Sequence, residues 1–271
     1  MSRTPPILMA SSLRSETDRV LERTRRLASE MGGGVVMLHV LEEAHSDARQ
    51  AALRTLLARD LGSVADQFEV RFETGSAPST IARVADEIDA PLVVMGTPRF
   101  NSAGDYILGT AVDYLVRRSP VPVLIVRRRA HRPYRRILAV TDFSLCSQVA
   151  LEAAHDFFPE AQIDLLHVYG PSYGALLDRE ETARFAHDQA KREMAEFVSE
   201  IEMGLRERVT PIIEEGDLDT LVRQRFLDDK FDLLVVGTHG RSGFVHAAIG
   251  SRASNLLSSS PSDVMMVRET M

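Results

Sequence analysis

The chain has 271 residues, of which 44% are hydrophobic and 26% are charged, a composition typical of globular proteins of one or two domains. Its formal net charge is −7, from 32 Lys and Arg against 39 Asp and Glu, which argues against a nucleic-acid binder that needs a basic surface. Cys146 is the single cysteine, so no internal disulfide can form and a reducing compartment is compatible. The N-terminal apolar run is too short for a signal-peptide core or a membrane span, and we expect a cytoplasmic protein with no membrane partner.

The chain repeats itself, and the order of the repeats is preserved. The repeated pairs are ILMASS at 7–12 and ILAVTD at 137–142, VMLHV at 36–40 and DLLHV at 164–168, LVVMGT at 92–97 and LLVVGT at 233–238, and SPVPVLIVRR at 119–128 and SPSDVMMVRE at 260–269. Because chance matches would not stay in order, the sequence predicts a duplicated domain, with copies at 1–129 and 134–271. The second copy needs a longer middle, which holds residues 180–203. The basic segment between the copies, RRRAHRPYRR, is interpreted as a solvated linker or as a contact for an anionic partner.

Short apolar runs alternate with segments of helical spacing in both copies. The predicted strands are Val35–Val40, Pro91–Met95, Pro122–Val126, Ile137–Val140, Ile163–Val168, Leu233–Val236 and Asp263–Val267. Helical spacing is found in two sets, Leu53, Leu57, Leu61, Val64 and Phe68, and then Ala183, Ala186, Ala190, Met194, Phe197 and Ile201. This alternation predicts an α/β fold in which each copy forms a parallel sheet covered by helices.

The segment GTHGRSGFVHAAIGSRASNLL, at 237–257, carries the most specific pattern in the chain. Gly237, Gly240, Gly250 and Ser251 form the pattern G-x2-G-x9-G-[ST] between a strand and a helix. Glycine lets the backbone approach a phosphate closely, and the helix that starts after Gly250 offers N–H groups and a positive dipole end. The pattern is neither a P-loop nor G-x-G-x-x-G. A phosphate site is favoured, and the alternative is that the glycines only form turns.

This pattern, with Asp142 ending the first strand of the second copy and His167-Val168 ending its second strand, resembles the universal stress protein family. The resemblance implies two tandem open five-stranded parallel sheets of order 3-2-1-4-5, with helices on both faces. It also implies that ATP, or ADP or AMP, lies at the switch point of the sheet. Val168 would meet adenine through its backbone, and Asp142 would face the ribose or, through Mg²⁺, the phosphates. Gly240, Gly250 and Ser251 would hold the phosphates.

The remaining candidate binding residues flank these positions. They are Thr141, Gly237, Thr238, His239, Arg241 and Arg252. His239 and Arg241 are either phosphate contacts or solvated turn residues, and Arg252 would either reach a γ-phosphate or crowd it.

Other residues have plainer interpretations beside the functional ones. Asp142 could only cap the next helix. His39 and His167 are interpreted as packed residues on interior strands, and Cys146 as a small packing residue.

The first copy departs from the pattern at the same positions. Ser12 stands where Asp142 stands, and Pro98, Arg99 and Phe100 replace His239, Gly240 and Arg241, although Gly96 and Gly109-Thr110 are kept. Pro98 has no N–H, and the side chain of Arg99 would fill the close-approach space. We therefore expect one nucleotide per chain, in the second copy, unless Arg99 supplies a charge for another anion.

Three functions remain open from the sequence. The first is a nucleotide-binding stress or signalling protein. The second is an ATPase or nucleotidyl transferase, against which the segment 237–257 offers no lysine and no acidic residue. The third is a scaffold without a ligand. Family resemblance further suggests that the two copies pair about a pseudo-twofold axis through their closing strands, and that a homodimer can form.

Overall fold

The computed structural model describes residues 4–12, 17–41, 51–55, 68–97, 110–170, 179–228, 231–239 and 250–269. The chain divides into two compact units, Met1–Pro133 and Tyr134–Met271, called here the N-terminal and C-terminal units. Among the described residues, no helix combines the length and the apolar character that crossing a membrane requires.

The N-terminal unit alternates strands and helices, as predicted. Its elements are β1 (Ile7–Ala10), α1 (Thr17–Met31), β2 (Val35–Leu41), β3 (Phe68–Thr74), α2 (Ala77–Glu87), β4 (Val93–Gly96), α3 (Thr110–Arg118) and β5 (Val123–Val126). The strands pair in parallel in the order β3-β2-β1-β4-β5, which is the predicted order 3-2-1-4-5.

The C-terminal unit repeats this arrangement. Its elements are β6 (Arg136–Val140), α4 (Leu145–Phe157), β7 (Gln162–Tyr169), α5 (Arg179–Glu200), α6 (Met203–Arg206), β8 (Val209–Glu215), α7 (Leu218–Leu227), β9 (Leu233–Gly237), α8 (Ser251–Ser259) and β10 (Asp263–Val267). The parallel order β8-β7-β6-β9-β10 again corresponds to 3-2-1-4-5. The predicted fold class is therefore confirmed in each unit.

The core of each unit lies along its wholly buried strands. Every residue of β5 and β10 is buried, as is every residue of β9 before Gly237. Strands that are buried at every position read as continuous apolar runs in the sequence. The edge strands β3 and β8 are instead largely half-exposed.

One predicted helix is wrong at its end, and one is confirmed. Phe68 was assigned to a helix by its spacing from Leu53, but it is the first residue of β3 and is buried there. Residues 51–55 are helical, and Leu57, Leu61 and Val64 lie outside the described residues. The second set forms α5 up to Phe197, with Ala190, Met194 and Phe197 buried, and its last member, Ile201, follows directly after the helix.

The basic segment 127–136 is held along α1 over much of its length. Three arginines of α1, spaced four and three residues apart, donate to its backbone carbonyls. Arg19 donates to Arg127 (2.7 Å), Arg23 to Arg132 (3.0 Å) and Arg26 to Ala130 (3.5 Å). The backbone of this segment is therefore hydrogen-bonded to α1 and not fully solvated, although the side chains of Arg129 and Arg132 are exposed.

Candidate functional site

The candidate site lies at the carboxyl ends of β6 and β9. These strands are parallel neighbours, with Val140 beside Val236. The chain leaves β6 toward β7 on one side and β9 toward β10 on the other, so a crevice is expected at this edge of the sheet. The register brings the residues that follow the two strands, Thr141-Asp142 and Gly237-Thr238, to the same edge.

The turn after β6 is fixed by hydrogen bonds within the protein. The Thr141 N–H donates to Leu166 of β7 (2.9 Å), and its buried Oγ1 lies 2.8 Å from Ser147 Oγ and accepts from the Phe143 N–H (2.9 Å). Thr141 therefore positions the turn, and its side chain is used inside the protein.

Asp142 occupies the middle of this turn. Its Oδ1 accepts from the Ser144 N–H (3.2 Å). The N-cap of α4 is Ser144, whose Oγ accepts from the Ser147 N–H (3.2 Å). Ser144 therefore caps the helix, and the Asp142 carboxylate instead stabilises the turn between β6 and α4.

Gly237, the first glycine of the pattern, is required by packing. A Cβ on Gly237 would lie 2.9 Å from the backbone oxygen of Cys146, 3.0 Å from its carbonyl carbon and 3.1 Å from its Sγ. Real Cβ atoms do not approach a backbone this closely, so any side chain would push α4 away from β9. For Gly237, the structural interpretation explains the residue without a ligand.

Thr238 and Cys146 are also internal. Thr238 is 1% exposed, and its Oγ1 lies 2.8 Å from His239 Nδ1 and 3.9 Å from Cys146 Sγ. Cys146 is buried and donates weakly to the Val267 carbonyl (3.5 Å), as expected of a packing residue. His239 is half-exposed and is oriented by Thr238.

Gly250 differs from Gly237, because neither its conformation nor its packing against the described residues requires glycine. It is the N-cap of α8, with φ −54° and ψ 140°, which any L-residue can adopt. Of the described part of the chain, a Cβ would meet the Thr238 carbonyl oxygen, at an ordinary 3.6 Å. Ser251 is the first helical residue of α8 and is exposed, as is Arg252.

The first turn of α8 presents donors. The Gly250 N–H donates to Thr238 (3.0 Å), and the first bond inside the helix runs from the Ser254 N–H to Gly250 (3.0 Å). The N–H groups of Ser251, Arg252 and Ala253 have no acceptor within the helix, and the positive end of the helix dipole lies beside them. This arrangement can bind an anion such as a phosphate.

β7 extends beyond the end of β6. The β6–β7 register ends at Val140 beside Leu166, whereas the β7–β8 register continues to Tyr169 beside Glu215. Val168 thus lies on the part of β7 past the carboxyl end of β6, and its side chain is buried.

Part of the predicted site lies outside the described residues. Gly240 and Arg241 belong to this part, as do Pro98, Arg99, Phe100 and Gly109 in the first copy. The assignment of all eleven candidate residues to a ligand stays a prediction. Among the described residues, no group of three or more His, Cys, Asp or Glu side chains is placed to hold a metal ion.

The structure adds site residues that sequence reasoning missed. Ser144, a serine directly before an apolar helical segment, follows the usual N-cap signal and could have been found. Phe143 has a positive φ of 63° and stacks on His167, with ring centroids 4.2 Å apart. No local signal predicts this pair, because it depends on β6 and β7 being neighbours.

The N-terminal unit keeps the framework but not the carboxylate. The Ser11 N–H donates to Leu38 (2.9 Å), as Thr141 does to Leu166, and Ser12 is exposed at the position of Asp142. A cavity of about 730 Å³ in this unit lies elsewhere, at the amino end of β2. Its lining includes two arginines and two glutamates, Arg25, Arg26, Glu22 and Glu30.

Comparison with known proteins gives matches along nearly the whole chain. A universal stress protein of Mycolicibacterium smegmatis is 28% identical over 258 residues, covering 87% of this chain and 81% of that protein. A universal stress protein of Mycobacterium tuberculosis is 24% identical over 274 residues, covering 97% and 83%. The crystal structure of a universal stress protein from Archaeoglobus fulgidus superposes with a TM-score of 0.65 at 18% identity, covering 98% of each chain, and so shows the shared fold.

A family model describes both halves. The universal stress protein family matches residues 4–127 and again residues 133–268. The chain therefore belongs to the universal stress protein family, with two family domains in tandem.

Proposed function

We propose that this protein is a stress-response or signalling protein whose C-terminal unit binds one adenine nucleotide, ATP or its relatives ADP and AMP. The observation that carries the proposal is the contrast between two glycines of one pattern. Gly237 is explained by packing against Cys146, whereas neither the backbone conformation of Gly250 nor its packing against the described residues explains a glycine there. A ligand that approaches the start of α8 closely accounts for glycine at that position.

The phosphates are assigned to the start of α8. The N–H groups of Ser251, Arg252 and Ala253 point out of the first turn, and the exposed Arg252 side chain can add a positive charge. His239, Gly240 and Arg241 would complete this phosphate site from the preceding loop. Loss of the close approach at Gly250 would weaken every one of these contacts.

The nucleoside is assigned to the ends of β6 and β7. Asp142 lies at the edge shared with β9 and would accept from the ribose hydroxyls. The backbone of Val168, past the end of β6, would meet the adenine edge. These two assignments rest on the resemblance of AVTDFS and LLHV to the family motifs.

The proposal is one of binding rather than rapid turnover. The segment 237–257 supplies neither a lysine for the phosphates nor a carboxylate for a metal, the groups on which phosphoryl-transfer enzymes rely. Mg²⁺ would be held mainly by the phosphates, with Asp142 as the nearest protein carboxylate in this assignment. Slow hydrolysis remains the alternative, and a scaffold without a ligand is the second.

The N-terminal unit is proposed to be structural, because Ser12 and Arg99 replace Asp142 and Gly240. A cytoplasmic location, pseudo-twofold pairing of the units and a homodimer stay predictions. Purifying the protein, denaturing it and analysing the released small molecules by mass spectrometry tests the proposal. We expect one adenine nucleotide per chain, or full occupancy after ATP is added. Protein that releases none and binds no ATP at millimolar concentration would identify the scaffold instead.

A further inference from the structure

We propose that His167 is a positioning residue for Asp142, because its imidazole holds the residues on both sides of that carboxylate. This inference rests on the proposed function, in which Asp142 contacts the nucleotide. Sequence reasoning gave His167 only a packing role on an interior strand. The structure shows that one ring makes two separate contacts with the turn after β6.

The first contact is a hydrogen bond to the residue before Asp142. His167 Nδ1 lies 2.9 Å from the Thr141 carbonyl oxygen. Since a carbonyl oxygen can only accept, Nδ1 must carry the proton in this arrangement. The bond ties the start of the turn to β7, beyond the last β6–β7 register pair at Val140.

The second contact is with the residue after Asp142. The Phe143 ring lies against the imidazole at a centroid distance of 4.2 Å and an angle of 26°. Phe143 has a φ of 63°, a left-handed conformation that bulky L-residues seldom adopt, so the hydrogen bond from its N–H to Thr141 Oγ1 and its ring contacts together hold it there. The ring of Phe197, in α5, also lies near the Phe143 ring, with centroids 5.8 Å apart at an angle of 56°.

These contacts leave Asp142 between two fixed neighbours. With Thr141 and Phe143 held, the backbone direction at Asp142 is set, and the Ser144 N–H then orients one carboxylate oxygen at 3.2 Å. A carboxylate fixed in this way loses little conformational freedom when a nucleotide binds, which favours affinity. His167 would therefore act on the ligand only through Asp142.

The N-terminal unit provides a matched control. His39 Nδ1 lies 2.8 Å from the Ser11 carbonyl oxygen, which is the same bond in the first copy. Its ring instead meets Phe72 edge-on, with centroids 6.1 Å apart at 82°, and the turn it holds carries Ser12. Removing the His39 imidazole therefore breaks the same structural hydrogen bond, but the next residue of the turn is Ser12 and not a carboxylate.

The test compares ATP affinity and thermal stability of His167→Phe, His167→Asn and His39→Phe. Phenylalanine keeps a ring against Phe143 and removes the donor, whereas asparagine keeps a donor near the Nδ1 position and removes the ring. We expect His167→Phe to raise the Kd for ATP by about three- to tenfold, the effect of one hydrogen bond. His167→Asn should recover part of the loss, and His39→Phe should leave the Kd unchanged while lowering the melting temperature.

A double-mutant cycle with Asp142→Ala separates positioning from a general structural effect. If His167 acts through Asp142, His167→Phe adds nothing to the Kd of Asp142→Ala. Equal losses in both backgrounds, or wild-type affinity of His167→Phe, would overturn the proposal. If Asp142→Ala alone binds ATP as the wild type does, there is nothing to position and the ribose assignment fails too. Gly250→Val then still tests the phosphate site separately. Should His167→Phe fail to fold, the same comparison is made with His167→Asn.

Discussion

Replacing each of two glycines by alanine separates the packing role from the binding role. In Gly237→Ala the new Cβ would lie 2.9 to 3.1 Å from three atoms of Cys146, two of them backbone atoms of α4. Such overpacking costs roughly 1–3 kcal/mol. For a unit of this size, that corresponds to a fall in melting temperature of about 3–9 °C.

Gly250→Ala is expected to be nearly neutral for stability. Its Cβ meets the Thr238 oxygen at 3.6 Å, and its φ of −54° suits alanine. The poorer N-cap costs about 0.5–1 kcal/mol. Alanine also lowers the conformational entropy of the unfolded chain, which stabilises the folded state by about 0.4–1 kcal/mol. Nucleotide binding should nevertheless weaken, and Gly250→Val should lose roughly 1.5–3 kcal/mol, or about tenfold to a hundredfold in Kd.

Thermal melting of the nucleotide-free proteins and calorimetric titration with ATP measure the two effects. We expect Gly237→Ala to lose stability, and Gly250→Ala and Gly250→Val to lose affinity. A Gly250→Val protein that binds ATP normally would refute the phosphate argument. A Gly237→Ala protein as stable as the wild type would refute the packing argument.

Four further changes test other parts of the account. Asp142→Ala should weaken ATP binding about tenfold to a hundredfold if the carboxylate bonds the ribose. If it acts through Mg²⁺, chelation should remove the difference from the wild type, and equal binding in both conditions would leave Asp142 a structural residue. Burial, and then the charge of Asp217, raise the pKa of Asp219, so ionisation of this carboxyl costs more in the folded state than in the unfolded state. The stability that protonated Asp219 contributes is present below its pKa in the unfolded chain and is lost as pH rises through its pKa in the folded protein. Urea titration should therefore show Asp219→Asn to be more stable than the wild type at pH 7 and equal to it below about pH 4. Asp217 is the N-cap of α7, and hydrogen bonds from the Thr220 hydroxyl and N–H lower its pKa. The stability that the Asp217 carboxylate contributes is present above its pKa in the unfolded chain and is lost as pH falls through its pKa in the folded protein. Asp217→Ser should keep the cap but not this pH dependence, which melting curves from pH 2 to 7 would reveal. Arg208 donates to the carbonyls of Phe158, Pro159 and Ala161, just after α4. Arg208→Ala should therefore lower the free energy of urea unfolding by roughly 1.5–3 kcal/mol. As a control, Arg135→Ala removes an exposed arginine and should lower it by almost nothing.

The wholly buried strands could be predicted from the sequence because their residues are apolar at consecutive positions. Val123–Val126 and Asp263–Val267 are almost wholly apolar, and such runs need no knowledge of their neighbours. The edge strands leave a weaker record. β8 begins VTPII and is largely half-exposed, and β3, with the sequence FEVRFET, alternates charged residues with Phe, Val and Thr. Phe68 was misassigned because one buried residue at the start of an edge strand also fits a helical period.

The candidate site was predictable only where its residues are close in sequence. The glycine pattern could be recognised, but its first glycine is required by close packing against Cys146, 91 residues earlier in the chain. The bond between His167 and Thr141, and the stacking of His167 on Phe143, join different strands. Contacts of this kind follow from strand order and register, which no local pattern specifies.

The most direct test of the account is the stoichiometry of nucleotide binding. ATP is titrated calorimetrically into nucleotide-free wild-type protein and into Gly250→Val. The account predicts one site per chain in the wild type and a loss of at least tenfold in affinity in the variant. Two equivalent sites, or a single site that Gly250→Val leaves unchanged, would contradict it.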